Sequence, residues 1–537
     1  MKKGKTIFLT GSDLDFHQIR KIMFEDYEVK ADMNAMKSVE SCREKIIAEA
    51  ASGALIYGFN MGFGQNQDVQ VDSEGLAQLQ TNLIRSHAIS FGDAAPEQVV
   101  KLTMVLRANA LLKGYSGVRR EVISKLLEFV NNKNFYPFVP KIGSLGASGD
   151  LSPLSHVALN LIGEGECFLR DGNGNFELVE AKVALKRENI QPLLLESKEG
   201  LALNNGMQFT TAYLIFLIFK MEKVVKTSLA LSACFSEIML ATNMSFDSKI
   251  HDVRPYEGQK LAAKMLSKLL VNSDIIKSHR LSKYDPNTQD PYSSRCLPQV
   301  FGVVFDALSE AKVKLKIEIN SATDNPLVFG NQVISGGNFH GMPIAILAAN
   351  LFNVFCSQLK IKEALVRRVV DKDKNRLGVS CLLDPECNHQ TSSGMMILEY
   401  SYHAISNLIM SANNPAFLFS ASSASCQEDH VSHAPTVVLN LEKALELFEY
   451  SLSLENVMIV QGYNILKKLE QKFKEIGKMP VDGKLSPSAI GSYILKINHG
   501  IFEGISFDTY LKPSVEKVRR EIIKKDLISH FVDTMLD

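Results

Sequence analysis

Residues 143–156 read GSLGASGDLSPLSH, which places Gly143, Gly146, Ala147, Ser148 and Gly149 within seven positions. Two kinds of chemistry use so little side chain. A phosphate cradle crowds backbone N–H groups around an anion, but the lysine and hydroxyl that complete a P-loop are missing. A serine nucleophile on a strained elbow needs Gly-x-Ser-x-Gly, and here Gly149 follows Ser148 directly, so the spacing is wrong. The local reading is a tight loop entering a helix. Ser152 is the expected N-cap, and Pro153 falls where the first helical residue has no use for its N–H. One glycine would make that turn, so the excess of small residues calls for a chemical reason.

The elements that hold the loop are helical. Three long segments, Met207 to Asp247, Ile344 to Asp373 and Thr436 to Gln461, contain no internal Gly or Pro. In the second, Leu347, Leu351, Val354, Phe355, Ile361, Leu365 and Val369 return to one broad face. Long apolar-faced helices bury one another as a bundle, and strand-like alternation is rare. The expected fold is all-α: a long central helical bundle with an N-terminal, loop-rich helical domain that bears the small-residue loop. A boundary near residue 205 gives domains 1–205 and 206–537. Before it, shorter helices over Glu97 to Leu112 and Val122 to Val130 alternate with glycine-rich loops. FLRDGNGNFELVEAKVAL, with Gly172 and Gly174, reads as a small surface hairpin.

Composition narrows the function classes. Among 537 residues, 46% are hydrophobic and 22% charged, with 33 Gly and 17 Pro, the balance of an ordinary globular protein. Lys plus Arg equals Asp plus Glu at 59 each, so neither nucleic acid nor an anionic membrane is an expected partner. The eight cysteines form no Cys-x-x-Cys pair and no ligand spacing with histidine; buried thiols in a reducing compartment are expected, and no metal. The apolar run Ile7 to Leu9 is too short for a signal peptide, and Ala212 to Phe219 too short to span a membrane, so the expected location is cytoplasmic.

Seven motifs in order then carry a resemblance: YGFNMGFG, GSLGASGDLSPLSH, LNNGMQ, DPYSSRCLPQ, NSATDNP, GGNFHG and QEDHVS. From about Tyr57 to about His430 the chain resembles the aromatic amino acid ammonia-lyases, which act on histidine, phenylalanine or tyrosine. The resemblance implies that Ala147, Ser148 and Gly149 cyclise and lose water to give 4-methylidene-imidazol-5-one (MIO), an electrophile built from backbone. The physical demand fits: the Gly149 nitrogen must reach the Ala147 carbonyl carbon, and side chains would obstruct that approach. No external cofactor is implied.

Eliminating ammonia requires an electrophile, a base for a weakly acidic β-proton and a clamp for the carboxylate. The resemblance assigns Tyr57 as the base, Arg295 as the clamp, Tyr292 beside the amine and the MIO, and Asn205 as a hydrogen-bond partner of the MIO or the substrate. A planar guanidinium suits bidentate carboxylate binding. Tyr292, three residues before Arg295, shares its face if the segment is helical. Gln289 matches a pocket position, and Phe339 one that packs on the substrate ring.

Ser86 and His87 occupy the positions that read the substrate side chain, and Ser-His occurs in histidine lyases and in some bacterial tyrosine lyases. Glu428 stands where histidine lyases have glutamate, and a carboxylate can pair with an imidazole N–H. The expected reaction is L-histidine to trans-urocanate. The alternatives are a tyrosine or phenylalanine lyase giving coumarate or cinnamate, or an MIO-dependent aminomutase. Met61, Asn204, Met207, Leu297 and His433 depart from the usual pattern and leave those alternatives open. The family further implies a homotetramer with sites shared among subunits. The fumarase and aspartase superfamily, also helical, is disfavoured because its flexible serine loop is missing.

Overall fold

The computed structural model describes residues 5–63, 68–72, 74–279, 288–479 and 482–536. Helices dominate, and the described strands are short. The chain divides into two compact units, each assembled from three stretches. The first comprises Met1–Phe216, Ala311–Ala349 and Pro415–Leu439; the second comprises Leu217–Glu310, Asn350–Asn414 and Asn440–Asp537. A single cut near residue 205 does not describe this division, because the chain re-enters the first unit twice. Three of the four changes of unit after Phe216 fall inside helices, where composition gives no linker signal.

All the described strands lie in the first unit. The expected hairpin forms from Glu166–Arg170 and Phe176–Glu180, but Ala181 to Leu185, read as part of it, belong to the helix Ala181–Arg187; Phe135–Pro137 adds a third antiparallel strand. Phe91–Ala94 pairs with Pro140–Ile142, which fixes the entry to the small-residue loop. The helix Glu97–Leu112 matches its sequence-based bounds, while Val122 to Val130 lies within Arg120–Asn131.

The long helices are present with shifted ends. Gln208–Ile238 stops before Leu240, which takes a φ of +52°, so Asp247 lies beyond it. Met342–Val370 and Ala434–Glu475 are the other two. The last continues past Gly462, which ended the sequence-based reading. A Cβ there would come within 2.7 Å of Ile238 Cγ2, so the glycine serves close packing and the helix tolerates its propensity cost. By length and composition Met342–Val370 could cross a membrane, yet half of its most apolar window is buried in the protein.

In the second unit a buried cation ties helices together. Lys362 Nζ lies 2.8 Å from Glu455 and donates to Ser228 O at 3.1 Å and Ser232 Oγ at 2.8 Å. Phe355 and Phe448 pack edge to face at 5.0 Å. A lysine and a glutamate with no exposed side chain pay heavily for desolvation, and their mutual pairing offsets it. All eight cysteines are free; Cys42, Cys167, Cys234 and Cys356 are buried as expected, whereas Cys426 is exposed.

Candidate functional site

The small-residue loop is held from several sides within the first unit. Gly146 O accepts from Gly341 N at 3.1 Å and from Ser432 Oγ at 2.7 Å, and Leu145 O accepts from His433 N at 2.9 Å. Gly149 has a φ of +80°, and a Cβ there would lie 2.5 Å from both N and O of Gly206. Only glycine satisfies both the left-handed backbone and that approach. The small side chains of the loop therefore answer to a backbone pressed against another backbone.

The helix following the loop begins at Leu151, with Asp150 at its N-cap position and no side-chain cap bond. This corrects the expectation for Ser152. Its hydroxyl instead accepts from Ile89 N at 3.1 Å and lies 2.8 Å from Ser90 Oγ. Ser90 N also donates to His156 Nε2 at 3.1 Å, so the segment after His87 is fastened to this helix.

Asp150 is fully buried and carries a role that spacing did not reveal. Its carboxylate accepts from Ser144 Oγ at 3.0 Å, Thr210 Oγ1 at 2.6 Å and Thr210 N at 2.8 Å, while its own N–H donates to Gly206 O at 2.7 Å. Burial pushes its pKa up to about 6, against the pull of those donors. Glu318, raised to about 7 by burial and by the Asp150 charge, is its acidic neighbour.

Ser148 is gripped at two atoms. Its carbonyl accepts from Asn205 Nδ2 at 2.8 Å, and its hydroxyl donates to Glu428 Oε1. The other Glu428 oxygen accepts from Ser423 Oγ at 2.8 Å, and the two residues also exchange backbone hydrogen bonds. Asn205, 4% exposed, ends the helix Glu199–Asn204, and its Oδ1 has no hydrogen-bond partner among the described residues. Behind it the buried Arg107 donates to Ala202 O at 2.5 Å, Thr323 O at 2.8 Å and Asn205 O at 3.3 Å. Sequence reading missed Arg107, because three carbonyls from distant segments leave no periodic trace.

Tyr57 is half-buried, with its ring edge-on to Phe63 at 6.1 Å. Its loop is joined to the Asn205 helix through the buried Gln80. The Gln80 amide donates to Gly58 O at 3.2 Å and accepts from Gly200 N at 3.0 Å and Leu201 N at 3.2 Å. Gln80 belongs to Leu76–His87, the helix that carries Ser86 and His87. His87 Nδ1 lies 2.9 Å from Leu83 O and 3.0 Å from Ser86 Oγ. A carbonyl only accepts, so Nδ1 carries the hydrogen and Nε2 of the neutral ring is an acceptor. Phe339 is half-buried, and Gly341 two residues on is the one that bonds Gly146.

Tyr57, Ser86, His87, Ala147, Ser148, Gly149, Asn205, Phe339 and Glu428 thus all belong to the first unit, whereas Gln289, Tyr292 and Arg295 belong to the second. Tyr292–Arg295 forms a single helical turn, and the guanidinium lies over the Tyr292 ring at 4.6 Å, a cation–π contact. Asp290 anchors the turn: it accepts from Thr242 N at 2.7 Å and Thr242 Oγ1 at 2.8 Å and pairs with Arg376 at 3.2 Å. Tyr292 is 70% exposed, Gln289 is exposed, and Arg295 Nε is buried without a hydrogen-bond partner among the described residues.

Residues 14–479 match the profile of the family described as aromatic amino acid lyase. The histidine ammonia-lyase of Geobacillus thermodenitrificans is 40% identical over 450 residues, 82% of this chain and 86% of that protein. The crystal structure of histidine ammonia-lyase from Trypanosoma cruzi, 28% identical, superposes with a TM-score of 0.82 over 99% of this chain and 95% of that one. Tyrosine aminomutase from Streptomyces globisporus, 27% identical, gives a TM-score of 0.84 over 99% and 98%. These neighbours share the helical fold.

Proposed function

Since the chain belongs to the aromatic amino acid lyase family and is thereby a carbon–nitrogen lyase, we propose that it eliminates ammonia from L-histidine, giving trans-urocanate, with an MIO formed from Ala147, Ser148 and Gly149. The observation that carries the reading is the double grip on Ser148, by Asn205 at its carbonyl and by Glu428 at its hydroxyl, beside a Gly149 pressed on the Gly206 backbone. Those residues fit the group: the backbone is compacted where a ring must close, and a donor meets the carbonyl that the ring retains. Once formed, the group would supply an electrophilic methylene carbon toward the substrate amine.

The chain's own residues do the rest. The Arg295 fork, whose Nε has no partner among the described residues, takes the substrate carboxylate, and the turn pinned by Asp290 keeps Tyr292 stacked beside it. Asn205 Oδ1, a buried acceptor with no donor among the described residues, takes a hydrogen of the amine. Tyr57 removes the β-proton, which requires cationic surroundings to lower a phenol from about 10. Phe339 packs on the ring and Gln289 lines the pocket. Glu428 pairs with the imidazole, and Ser86 and His87 complete that end of the site, with His87 Nε2 as an acceptor. The names of the relatives support histidine.

The assembly that goes with this reading is a homotetramer whose sites draw on several subunits. Exposed Ile397, Tyr400 and Leu408 on the helix Met396–Ala412 and exposed Leu418 and Phe419 support it. Light scattering on the purified protein tests that mass.

The functional test is ultraviolet absorbance of the protein incubated separately with histidine, tyrosine and phenylalanine, with chromatography for β-amino acids. Urocanate from histidine is expected. Coumarate or cinnamate would move the substrate to tyrosine or phenylalanine, a β-amino acid would make the enzyme a mutase, and no product from any of the three would overturn the reading.

A further inference from the structure

We infer that Glu428 acts twice: first as the acid–base group that expels the Ser148 hydroxyl while the MIO forms, and only afterwards as the group that reads the substrate ring. The inference rests on the reading that the tripeptide matures to an MIO. Its starting point is a contact between residues 280 positions apart, the Ser148 hydroxyl donating to Glu428 Oε1.

The geometry around that contact is specialised. Glu428 Oε2 is committed to Ser423 Oγ at 2.8 Å, and backbone bonds from Ser423 N to Glu428 O at 2.9 Å and from Glu428 N to Ser423 O at 3.3 Å hold the residue in place. One carboxylate oxygen is thereby fixed and the other aimed at the hydroxyl that must leave. Asp150, close in sequence, is otherwise engaged, its two oxygens taken by Ser144 and Thr210. At the opposite side of Ser148, Asn205 Nδ2 polarises the carbonyl at 2.8 Å, which makes the adjacent Cα–H more acidic.

Maturation removes two waters. In the first loss the Gly149 nitrogen bonds to the Ala147 carbonyl carbon, and the carbonyl oxygen leaves with the hydrogens of the Gly149 and Ser148 amides. In the second, the Cα–H electron pair of Ser148 becomes the Cα=Cβ bond as Cβ–Oγ breaks. The Glu428 carboxylate, which accepts a hydrogen bond at each oxygen, takes up the Cα proton through solvent and then delivers it to Oγ, because hydroxide is a poor leaving group; Oγ departs as water with its own hydrogen and that proton, the carboxylate is regenerated, and no oxidant or reductant is needed. A positioned general acid of this kind contributes about 10²-fold or more in rate. The same carboxylate is unavailable to an imidazole until the hydroxyl has gone, so substrate recognition waits on completion of the electrophile.

The experiment is intact mass spectrometry of the full chain made by cell-free translation and sampled over time. Wild type should end two waters lighter than its encoded mass. Glu428→Gln keeps the size and the hydrogen bond but has no proton to deliver, so it should accumulate a species one water short, completing about 10²-fold more slowly. Glu428→Ala should stall likewise, with circular dichroism confirming its helices, and Ser423→Ala should fall between them and wild type. Arg295→Lys, in the other unit, should mature at the wild-type rate. If both Glu428 variants lose two waters as fast as wild type, the inference is overturned and the proposed function stands. If wild type itself keeps both waters, the MIO reading fails and takes the inference with it.

Discussion

The loop at 143–150 and the turn at 290–295 bear the two halves of the proposed chemistry and are built on opposite plans. In the loop the chain's own groups already meet the atoms that react: Ser148 is bound at its carbonyl and its hydroxyl, Gly146 O accepts twice, and the Asp150 carboxylate takes three donors. In the turn the anchor is satisfied and the working end is not, since Asp290 makes three bonds, two to Thr242 and one to Arg376, while Arg295 Nε has none among the described residues and Tyr292 is 70% exposed. The first plan suits a region that must react with itself; the second suits one that waits for a ligand.

That contrast is broken most severely at Ser148. Ser148→Ala removes the hydroxyl whose departure makes the methylene, so activity should fall to background while the thermal unfolding midpoint stays near that of wild type. Turnover at the wild-type rate would refute the chemistry assigned to the loop. Next in size is Arg295→Lys. A point charge replaces a fork, which should cost about 10- to 100-fold in kcat/KM, chiefly through KM, because charge-assisted hydrogen bonds contribute about 1.5–3 kcal/mol. Steady-state kinetics on fully matured protein provides the check.

A smaller effect sharpens the substrate assignment. Per matured chain, Glu428→Gln should lower turnover of histidine about tenfold more than turnover of tyrosine, since a carboxamide forgoes the charge-assisted bond to an imidazole N–H. Equal losses would remove Glu428 as the ring reader. The smallest effect concerns stability. The Asp150 pKa is raised to about 6 in the folded chain, so the folded state holds its proton more tightly than the unfolded one. Relative to Asp150→Asn, wild type should therefore lose stability as pH rises from about 4, and the difference should level off above about 7, where Glu318 has also ionised. A shift of about two pH units corresponds to about 3 kcal/mol, readable by urea unfolding at stepped pH. A flat difference would mean that Asp150 titrates as it does in the unfolded chain.

Much of the architecture was legible in the sequence because helix periodicity and small-residue loops are local signals. The helix Glu97–Leu112, most of the helix read over Ile344 to Asp373 and the turn of the hairpin at Gly172 and Gly174 follow from pattern alone. What escaped depends on partners remote in sequence. Ser152 reads as a cap, yet its hydroxyl serves Ile89 and Ser90. Gly462 reads as a stop, but Ile238 packs where its side chain would be. Arg107 has no motif, although it fastens the turn that presents Asn205. The roles proposed for Tyr57, Arg295 and Glu428 come from ordered motifs, since isolated tyrosines, arginines and glutamates carry no such information.

The Gln80 bridge has a kinetic corollary. The amides of Gly200 and Leu201 are both spent on one buried side-chain oxygen, and the nitrogen of the same side chain holds the carbonyl of Gly58, next to Tyr57. If Gln80 lets go, those two amides lose their acceptor and the Tyr57 loop loses one of its tethers in the same event. Their deuterium uptake is thus a clock for how often the Tyr57 loop, proposed to abstract the proton, loosens, and a bound amino acid that quiets Tyr57 should slow it without touching either amide.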